Sequence, residues 1–430
     1  MKKLLFITYF WPPSGKATLH WPLKIIKHLP ENNWQPFVLT ADEDTFTQQD
    51  LSLLDAVDPE LKVYKSKSYE PFDLYRKFIG KTPDEKLIAS ETISTTNKSL
   101  SHRISVWIRM NLFIPDARIG WNFSALKAGK KIINENKVDA IVSIGPPHST
   151  HLIGKKLSKI FNIPFVPVFI DPWVDIIYYK GFKRSKATLL IDNHFEKSVL
   201  TQSSHTVFVT ESTREDYISK YSFIKEKSSV LYWGYNEADF NSLPPNPPDK
   251  SGQTLPKKEG VKTLVHAGNI FGYQNPEMLW KAVRHKIMSN ETLKIKFLGT
   301  VAPEIKKSID QNGLNEITEY IGFLPYKEML RELLNADYLL VCATEKRHVP
   351  GKLFEYLRSG KPIIAFGQDN AEVDQILKES NAGMLFKYDD DVNSFFDSAH
   401  SFKTDISAIK KFDRKLIAQK LTEILNKVMK

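Results

Sequence analysis

A single cysteine, Cys342, stands in a chain of 430 residues. One thiol closes no internal disulfide and supplies no cysteine-rich zinc site. It lies in Tyr338-Leu339-Leu340-Val341-Cys342-Ala343, an apolar run that predicts a buried strand, so a packed core thiol is expected and a reducing cytoplasm fits it. No stretch reaches the ~18 uninterrupted apolar residues of a membrane-spanning helix. Met1-Lys2-Lys3 ahead of the apolar Leu4 to Trp11 imitates a secretion signal, but the run is short and Pro12-Pro13 follows with no small-residue cleavage site. A first buried strand is the better reading. The chain also lacks a P-loop, a dinucleotide fingerprint, a metal-ligand spacing and a short internal repeat. Its aromatics do not interleave regularly with its basic residues, which argues against nucleic-acid binding.

What is present is ordinary globular composition, 42% hydrophobic and 26% charged, in a length sufficient for two or three domains. Lysine and arginine outnumber acids 60 to 50, and a net charge of +10 favours anionic partners such as nucleotides or an acidic membrane surface. Strand-like and helix-like segments alternate, which predicts α/β architecture with parallel sheets. Leu4 to Phe10, Pro36 to Thr40, Ala140 to Ile144, Phe165 to Ile170, Thr206 to Val209 and Ser228 to Tyr232 read as strands, with a helix over Leu19 to Leu29. Leu243 to Gly260 has linker composition. A second alternation follows in Thr263 to Ala267, Lys294 to Leu298, Glu319 to Ile321, Tyr338 to Cys342 and Ile363 to Phe366, and Ser407 to Lys430 reads as one or two terminal helices. Two doubly wound, Rossmann-like domains facing across a cleft are the expected fold, with an insertion over about 43–120 in the first. Ligands of such sheets sit at the carboxyl ends of the strands.

The most informative segment is His348-Val349-Pro350-Gly351-Lys352-Leu353-Phe354-Glu355-Tyr356-Leu357-Arg358-Ser359-Gly360-Lys361-Pro362, followed by Ile363 to Phe366. It reads as loop, short helix, tight turn and strand. Pro350 and Gly351 suit a helix start, and Gly360 suits its left-handed stop. Lys352 and Glu355 are three apart and share a face, while Leu353, Phe354 and Leu357 pack inward. A cation, backbone N–H groups and a carboxylate thus meet at one helix N-terminus, where a phosphate and a sugar hydroxyl can be held together. A nucleotide-sugar is the ligand this suggests.

Other strand ends carry weaker signals. Tyr9 to Lys16 follows the first strand, and Gly15 with Lys16 lets backbone and a cation approach a ligand, although a lone Gly-Lys is equally a structural turn. Gly145-Pro146-Pro147-His148 follows the third predicted strand, where His148 would project and donate to a sugar hydroxyl or to developing charge. A histidine without a role is the bland alternative. Asp171 either contacts substrate or caps the turn made by Pro172. Gly268-Asn269-Ile270 through Gln274 can meet a diphosphate. Asp389-Asp390-Asp391 looks like a metal triplet but precedes a helical pattern, where acids cap. Glu91 to Ser101 reads as a polar loop. The basic aromatic segment around Trp107, with Arg103, Arg109 and Arg118, either lies in a membrane interface or packs on its own domain.

On these motifs the chain resembles the retaining glycosyltransferases of family 4, which have the GT-B fold. Val349 to Leu357 with Gly360-Lys361-Pro362 looks like their donor-binding helix, and Trp233-Gly234-Tyr235-Asn236 resembles their turn into the interdomain linker. The resemblance implies an acceptor-binding domain over 1–240, a donor-binding domain over 241–406, and a terminal helix, 407–430, crossing back to the first. It implies that Glu355 binds the ribose and Lys352 the diphosphate, that His148 lies near the transferred sugar, and that Gly268, Asn269, Gln274, Gly351, Leu353, Gly15, Lys16 and Asn236 line the donor. Asp171, Trp107 and Arg109 fall on the acceptor side. No metal and no cofactor beyond the nucleotide-sugar co-substrate are implied. The activity implied is retaining transfer to a glycan or lipid-linked saccharide in cell-surface polysaccharide assembly, in the cytoplasm at the inner face of the membrane. A sugar-nucleotide epimerase of the same architecture, or a non-catalytic nucleotide-sugar-binding protein, are the alternatives. Arg347 stands where the family has a second glutamate, with Glu345 two residues earlier; Asn269, Gln274 and Asn275 replace its basic residues; and Gly15-Lys16 replaces its Gly-Gly pair.

Overall fold

The computed structural model describes residues 1–46, 49–69, 100–176, 179, 182–243 and 260–429. The polar loop expected at 91–101 and the linker at 243–260 lie almost wholly outside them. The described residues form two compact units, 1–231 with 418–430, and 232–417.

In the first unit, β1 (Lys2–Ile7), β2 (Trp34–Ala41), β3 (Lys62–Ser66), β4 (Ala140–Gly145), β5 (Phe165–Phe169), β6 (Thr206–Phe208) and β7 (Ser228–Val230) make one sheet in the order β3-β2-β1-β4-β5-β6-β7. Every pairing is parallel. Its longer helices are α1 (His20–Ile26), α2 (Leu100–Leu112), α3 (Asn122–Asn136), α4 (Ser149–Phe161), α5 (Lys186–Gln202) and α6 (Glu211–Lys220). All residues of β4 and β5 are buried, as strands covered on both faces require.

The second unit repeats the plan. Here β8 (Val261–Ala267), β9 (Thr292–Leu298), β10 (Thr318–Tyr320), β11 (Tyr338–Cys342), β12 (Ile363–Phe366) and β13 (Gly383–Phe386) run parallel in the order β10-β9-β8-β11-β12-β13. Its longer helices are α7 (Glu277–Met288), α8 (Pro303–Gln311), α9 (Tyr326–Asn335), α10 (Lys352–Ser359) and α11 (Ala371–Glu379). Strand order reverses between β1 and β4 and between β8 and β11, so each sheet has one switch point where loops diverge and leave a crevice.

Both switch points are clipped by the same device at their other end. Asp139, just before β4, accepts the Lys3 N–H at 2.7 Å and donates its own N–H to the Lys3 carbonyl at 2.8 Å. Asp337, just before β11, does the same to Thr263 at 2.8 and 2.9 Å. One residue thereby fixes the register of the two central strands on which the site loops stand.

The units divide at Leu231/Tyr232, earlier than the expected 240/241, and again at Ile417/Ala418, later than 406/407. Packing explains both shifts. Tyr235, Phe240, Ile409 and Phe412 are buried in the second unit's core, and the Tyr232 ring meets Phe412 edge-on at 5.0 Å. The terminal helix α12 (Arg414–Val428) groups with the first unit from Ala418 onward, where Asn426 accepts from the Lys2 ammonium at 2.7 Å. Cys342 is a buried free thiol at the end of β11, and burial pushes it up. Asp390 and Asp391 are turn and cap residues: they accept from the N–H of Lys387 and of Asn393, the latter opening the short helix Asn393–Ser398.

Replacing Asp337 with alanine removes a charge-assisted bond to the Thr263 N–H. It should lower the unfolding free energy of the second unit by ~1–3 kcal/mol, read from the urea midpoint at constant m value. An unchanged midpoint would show that the clip contributes nothing.

Candidate functional site

In the second unit the site grows from α10. A Cβ on Gly351 would lie 2.9 Å from Cδ1 and Nε1 of Trp233, so the helix start is open to that indole only because the residue is glycine. Gly360, at φ 72°, ends the helix as expected. No side chain caps its N-terminus. Leu353, Phe354 and Leu357 are buried. Lys352 opens the helix, with its ammonium 5.2 Å from the centre of the Tyr326 ring.

Glu355 sits in the first turn and is 2% exposed. Its Oε1 accepts from the Tyr326 hydroxyl at 3.2 Å and lies 3.6 Å from Nη2 of Arg414. Its Oε2 is buried without a hydrogen-bond partner among the described residues. A helix N-terminus favours the negative charge, but an ionised carboxylate with one oxygen unsatisfied is open to a hydroxyl donor. Tyr326 thus joins the two residues singled out in the sequence, carrying the cation on its ring and the carboxylate on its hydroxyl.

The turn after β8 is tied to the same helix. The Tyr356 hydroxyl accepts from the Ala267 N–H at 2.7 Å. Gly268, at φ 124°, follows, and nothing lies within 4 Å of where its Cβ would be. Backbone there meets open space at a strand's carboxyl end. Asn269 and Gln274, expected on the donor, are turned to the loop itself. Asn269 Oδ1 accepts from the Thr300 N–H at 3.2 Å. Gln274 accepts from the Phe271 N–H at 3.0 Å and donates to the Cys342 carbonyl at 2.8 Å, so both ends of its amide tie the loop to β11. Asn236 is buried beside α10, between Trp233 and Glu237, and Glu237 pairs with Arg358 of the helix.

The loop between β11 and α10 is equally fixed. Asn370 donates to the carbonyls of Glu345 and His348 at 2.9 and 2.8 Å. His348 Nδ1 accepts from the Thr344 N–H at 3.0 Å, and burial holds this imidazole down at about 4, so it is neutral. Arg347 meets Glu345 at 3.2 Å.

In the first unit the motif residues gather at the β1/β4 switch point. Lys16 is half-buried; burial first, then the charges of Arg118 and Arg109, lower its pKa. The Arg118 guanidinium lies 5.1 Å over the Tyr9 ring. Asp116 accepts from the Ser149 N–H and hydroxyl at 2.8 and 2.9 Å and so caps α4. Trp107 on α2 is 52% exposed, with Ile104 and Leu112 also exposed, and Arg109 is half-buried. The Arg103 side chain lies outside the description. Asp171, half-buried, follows β5.

His148 departs from expectation. It does not project at the strand end but is 5% exposed, stacked on Trp173 at 5.1 Å between ring centres. Its Nε2 contacts the Pro172 carbonyl at 3.2 Å, and a carbonyl only accepts, so Nε2 carries the proton. Nδ1 is then an acceptor, not the donor expected, and it is buried without a partner among the described residues. His151 Nδ1 pairs with Ser143 at 2.7 Å, and its Nε2 is likewise buried. A Cβ on Gly145 would come within 2.7 Å of His148 Nδ1 and 2.4 Å of His151 Nε2. The Trp173 platform is held in turn by Asp192 and Glu196 of α5. Asp192 accepts from the indole at 2.6 Å; Glu196 accepts from Tyr217 at 2.6 Å, Tyr221 at 2.8 Å and Lys220 at 2.7 Å.

Sequence reasoning missed Tyr326 and Arg414. Tyr326 reads as the first residue of an amphipathic helix, and Arg414 as one basic residue in a terminal helix rich in lysine.

Burial holds His148 down at about 3, against an ordinary 6.5. The unfolded chain therefore takes up a proton near pH 6.5 that the folded chain refuses until about pH 3. Its stabilising contribution is complete above that range and is lost as pH falls through it. Between pH 7.5 and 5.5 the first unit should lose ~1.4 kcal/mol from this group, and His148→Gln should flatten the profile by that share. A His148→Gln profile parallel to the wild type would refute the assignment.

Residues 261–405 match the family described as glycosyl transferases group 1. No curated protein matches the chain by sequence. Its structure resembles sucrose-phosphate synthase of Thermosynechococcus elongatus at 12% identity, covering 99% of each chain with a TM-score of 0.63. It also resembles HepE of Anabaena, solved in complex with UDP and glucose, at 13% identity over 99% of this chain and 100% of that one, with a TM-score of 0.62. The UDP-GlcNAc 2-epimerase of Methanocaldococcus jannaschii follows at 15% identity over 99% of both chains and a TM-score of 0.51. The α10 site thus lies inside the stretch that matches the group 1 glycosyl transferases, on a chain with the two Rossmann-like sheets of the GT-B fold.

Proposed function

We propose that this glycosyltransferase moves a hexosyl or N-acetylhexosaminyl group from a nucleoside-diphosphate sugar to a saccharide or lipid-linked saccharide acceptor, with retention and without a metal. The observation that carries the reading is the Oε2 of Glu355, unsatisfied among the described residues, in the first turn of the helix that Lys352 opens. A nucleotide supplies what each lacks: a ribose hydroxyl for the carboxylate and a diphosphate for the cation. The start of α10 at Gly351 adds the positive end of the helix dipole, while the N–H groups of Leu353 and Gly268 are already donated to the carbonyls of Pro350 and Leu298 at 2.9 and 2.8 Å. In this reading the leaving diphosphate gathers charge as the glycosidic bond breaks. Lys352 and the helix dipole stabilise that charge, and the acceptor attacks from the leaving-group face while a donor phosphate oxygen takes its proton.

On the acceptor side, Arg109 on α2 and Asp171 after β5 are assigned to the saccharide. The buried His148 is assigned to the support of the Asp171-Pro172-Trp173 turn. The exposed Trp107, Ile104 and Leu112 of α2 support peripheral contact with an anionic membrane surface at the cytoplasmic face, in assembly of a cell-surface polysaccharide. No helix among the described residues is long and apolar enough to cross a membrane.

The epimerase among the structural relatives supports one rival. Product analysis separates the two: a transferase consumes donor only with acceptor, while an epimerase converts it alone. Conversion of donor to its epimer without acceptor would overturn the transfer reading. Glu355→Ala should weaken nucleotide binding at least about tenfold by calorimetry, with the fold intact. Lys352→Ala should raise the donor KM and lower kcat together, and wild-type kinetics would remove its phosphate role.

A further inference from the structure

Arg414 lies outside the 261–405 family match, yet its side chain ends on the carboxylate of that domain. It is 1% exposed, an extreme burial for an arginine. Its backbone is fixed from both sides: the Arg414 N–H donates to the Tyr235 carbonyl at 2.9 Å, and the Tyr235 N–H donates to the Phe412 carbonyl at 3.0 Å. The close approach depends on Gly234, at φ 70°, where a Cβ would stand 2.4 Å from the Phe412 carbonyl oxygen. The side chain is then aimed by Nε, which donates to the Trp233 carbonyl at 3.2 Å. With Nε committed, Nη2 points to Glu355 Oε1 at 3.6 Å, an ion pair longer than a hydrogen bond.

We propose that Arg414 is a positioning residue of the nucleotide site, holding Oε1 of Glu355 so that Oε2 is left to accept from a ribose hydroxyl. The proposal rests on the reading of Glu355 as the ribose acceptor. The guanidinium engages one oxygen and not both. A bidentate pair would have satisfied Glu355 and left nothing for a ligand. Tyr326 shares the held oxygen, so the three side chains together fix which oxygen remains. Lysine keeps the charge but cannot serve Trp233 and Glu355 with one fork, which makes the geometry separable from the charge.

The test is calorimetry of the full chain with UDP and GDP, each against its 2′-deoxy form. The wild type should prefer a ribonucleotide by about tenfold or more, the value of a hydroxyl lost to a charged acceptor. Arg414→Lys and Arg414→Gln, checked for native circular dichroism and melting, should narrow that preference to about twofold. In a Glu355→Gln background the same changes should leave the preference unmoved, because an amide NH2, which only donates, replaces the accepting Oε2. A folded Arg414→Lys protein that keeps the full preference overturns the positioning role and leaves the nucleotide reading intact. A wild type that binds neither nucleotide, or binds without preferring ribose, overturns the ribose reading and the proposal with it. Should Arg414→Gln fail to fold, the lysine variant decides.

Discussion

A carboxylate taken almost completely out of water must be compensated, and around Glu355 the compensation comes from three places in the chain. The first turn of α10 supplies the positive end of a helix dipole. Tyr326, at the start of α9, supplies a hydroxyl, and Arg414, almost sixty residues downstream, supplies the opposite charge. Breaking such a buried pair by deleting one partner costs about 3–5 kcal/mol, because the remaining charge is stranded. The surrounding backbone is arranged to keep the pair. Gly234 permits the close crossing that delivers Arg414, and Gly351 makes room for the Trp233 indole beside the helix start. Even so, one carboxylate oxygen is left unsatisfied. A protein built only for stability would close that gap; a binding site leaves it for its ligand.

The first unit treats its histidines in the opposite way. His148 and His151 have no ion-pair partner among the described residues, and burial keeps both imidazoles neutral. Asp192 and Glu196 brace the Trp173 turn against which His148 stacks. Rigidity here comes from neutral stacking on an ion-braced platform. Loops anchored in this way hold side chains more closely than exposed ones, which suits the carboxyl edge of a sheet where ligands bind. The repeated Asp139 and Asp337 clips serve the same end from the far edge, by fixing the strands beneath each switch point.

The alternation of buried strands and amphipathic helices was legible because parallel strands covered on both faces are continuous apolar runs. β11 and β12 fall on Tyr338–Cys342 and Ile363–Phe366, as the sequence predicts. The strands it does not reveal, β3 and β13, lie at sheet edges. β3 is half-exposed and mixes Lys with Val and Tyr, and β13 is only four residues long and opens on a glycine that lies against the Ile363 backbone, so neither gives a clear strand signal. At the site, the Lys352–Glu355 spacing was readable because both stand on one local helix. Tyr326 and Arg414 were not, because a contact between residues 29 and 59 apart is decided by how α9 and the start of α12 pack, and no local pattern records it. The reversal of His148 from projecting donor to buried acceptor has the same origin, since Trp173 and Pro172 reach it across the sheet from the end of β5.

The loop before α10 separates two tasks that one acidic pair would otherwise share. Arg347 stands where the resemblance places a glutamate, and it pairs with Glu345 at 3.2 Å. A carboxylate already matched to a guanidinium gains less from a sugar hydroxyl than an unmatched one, because part of its field is spent within the loop. Asn370 and the neutral His348 hold that loop, so Glu345 is not readily swung to a new partner. Glu355 faces no such competition at Oε2. On the proposed reading, with Asn269 neutral where the resemblance places basic residues, Lys352 and the helix dipole would carry more of the diphosphate charge. On that reading the nucleotide half of a donor would meet an unsatisfied, preorganised carboxylate, and the sugar half a carboxylate already paired. Affinity in such a site resides in the nucleotide, and discrimination among sugars falls to shape and backbone contacts rather than to a dedicated carboxylate.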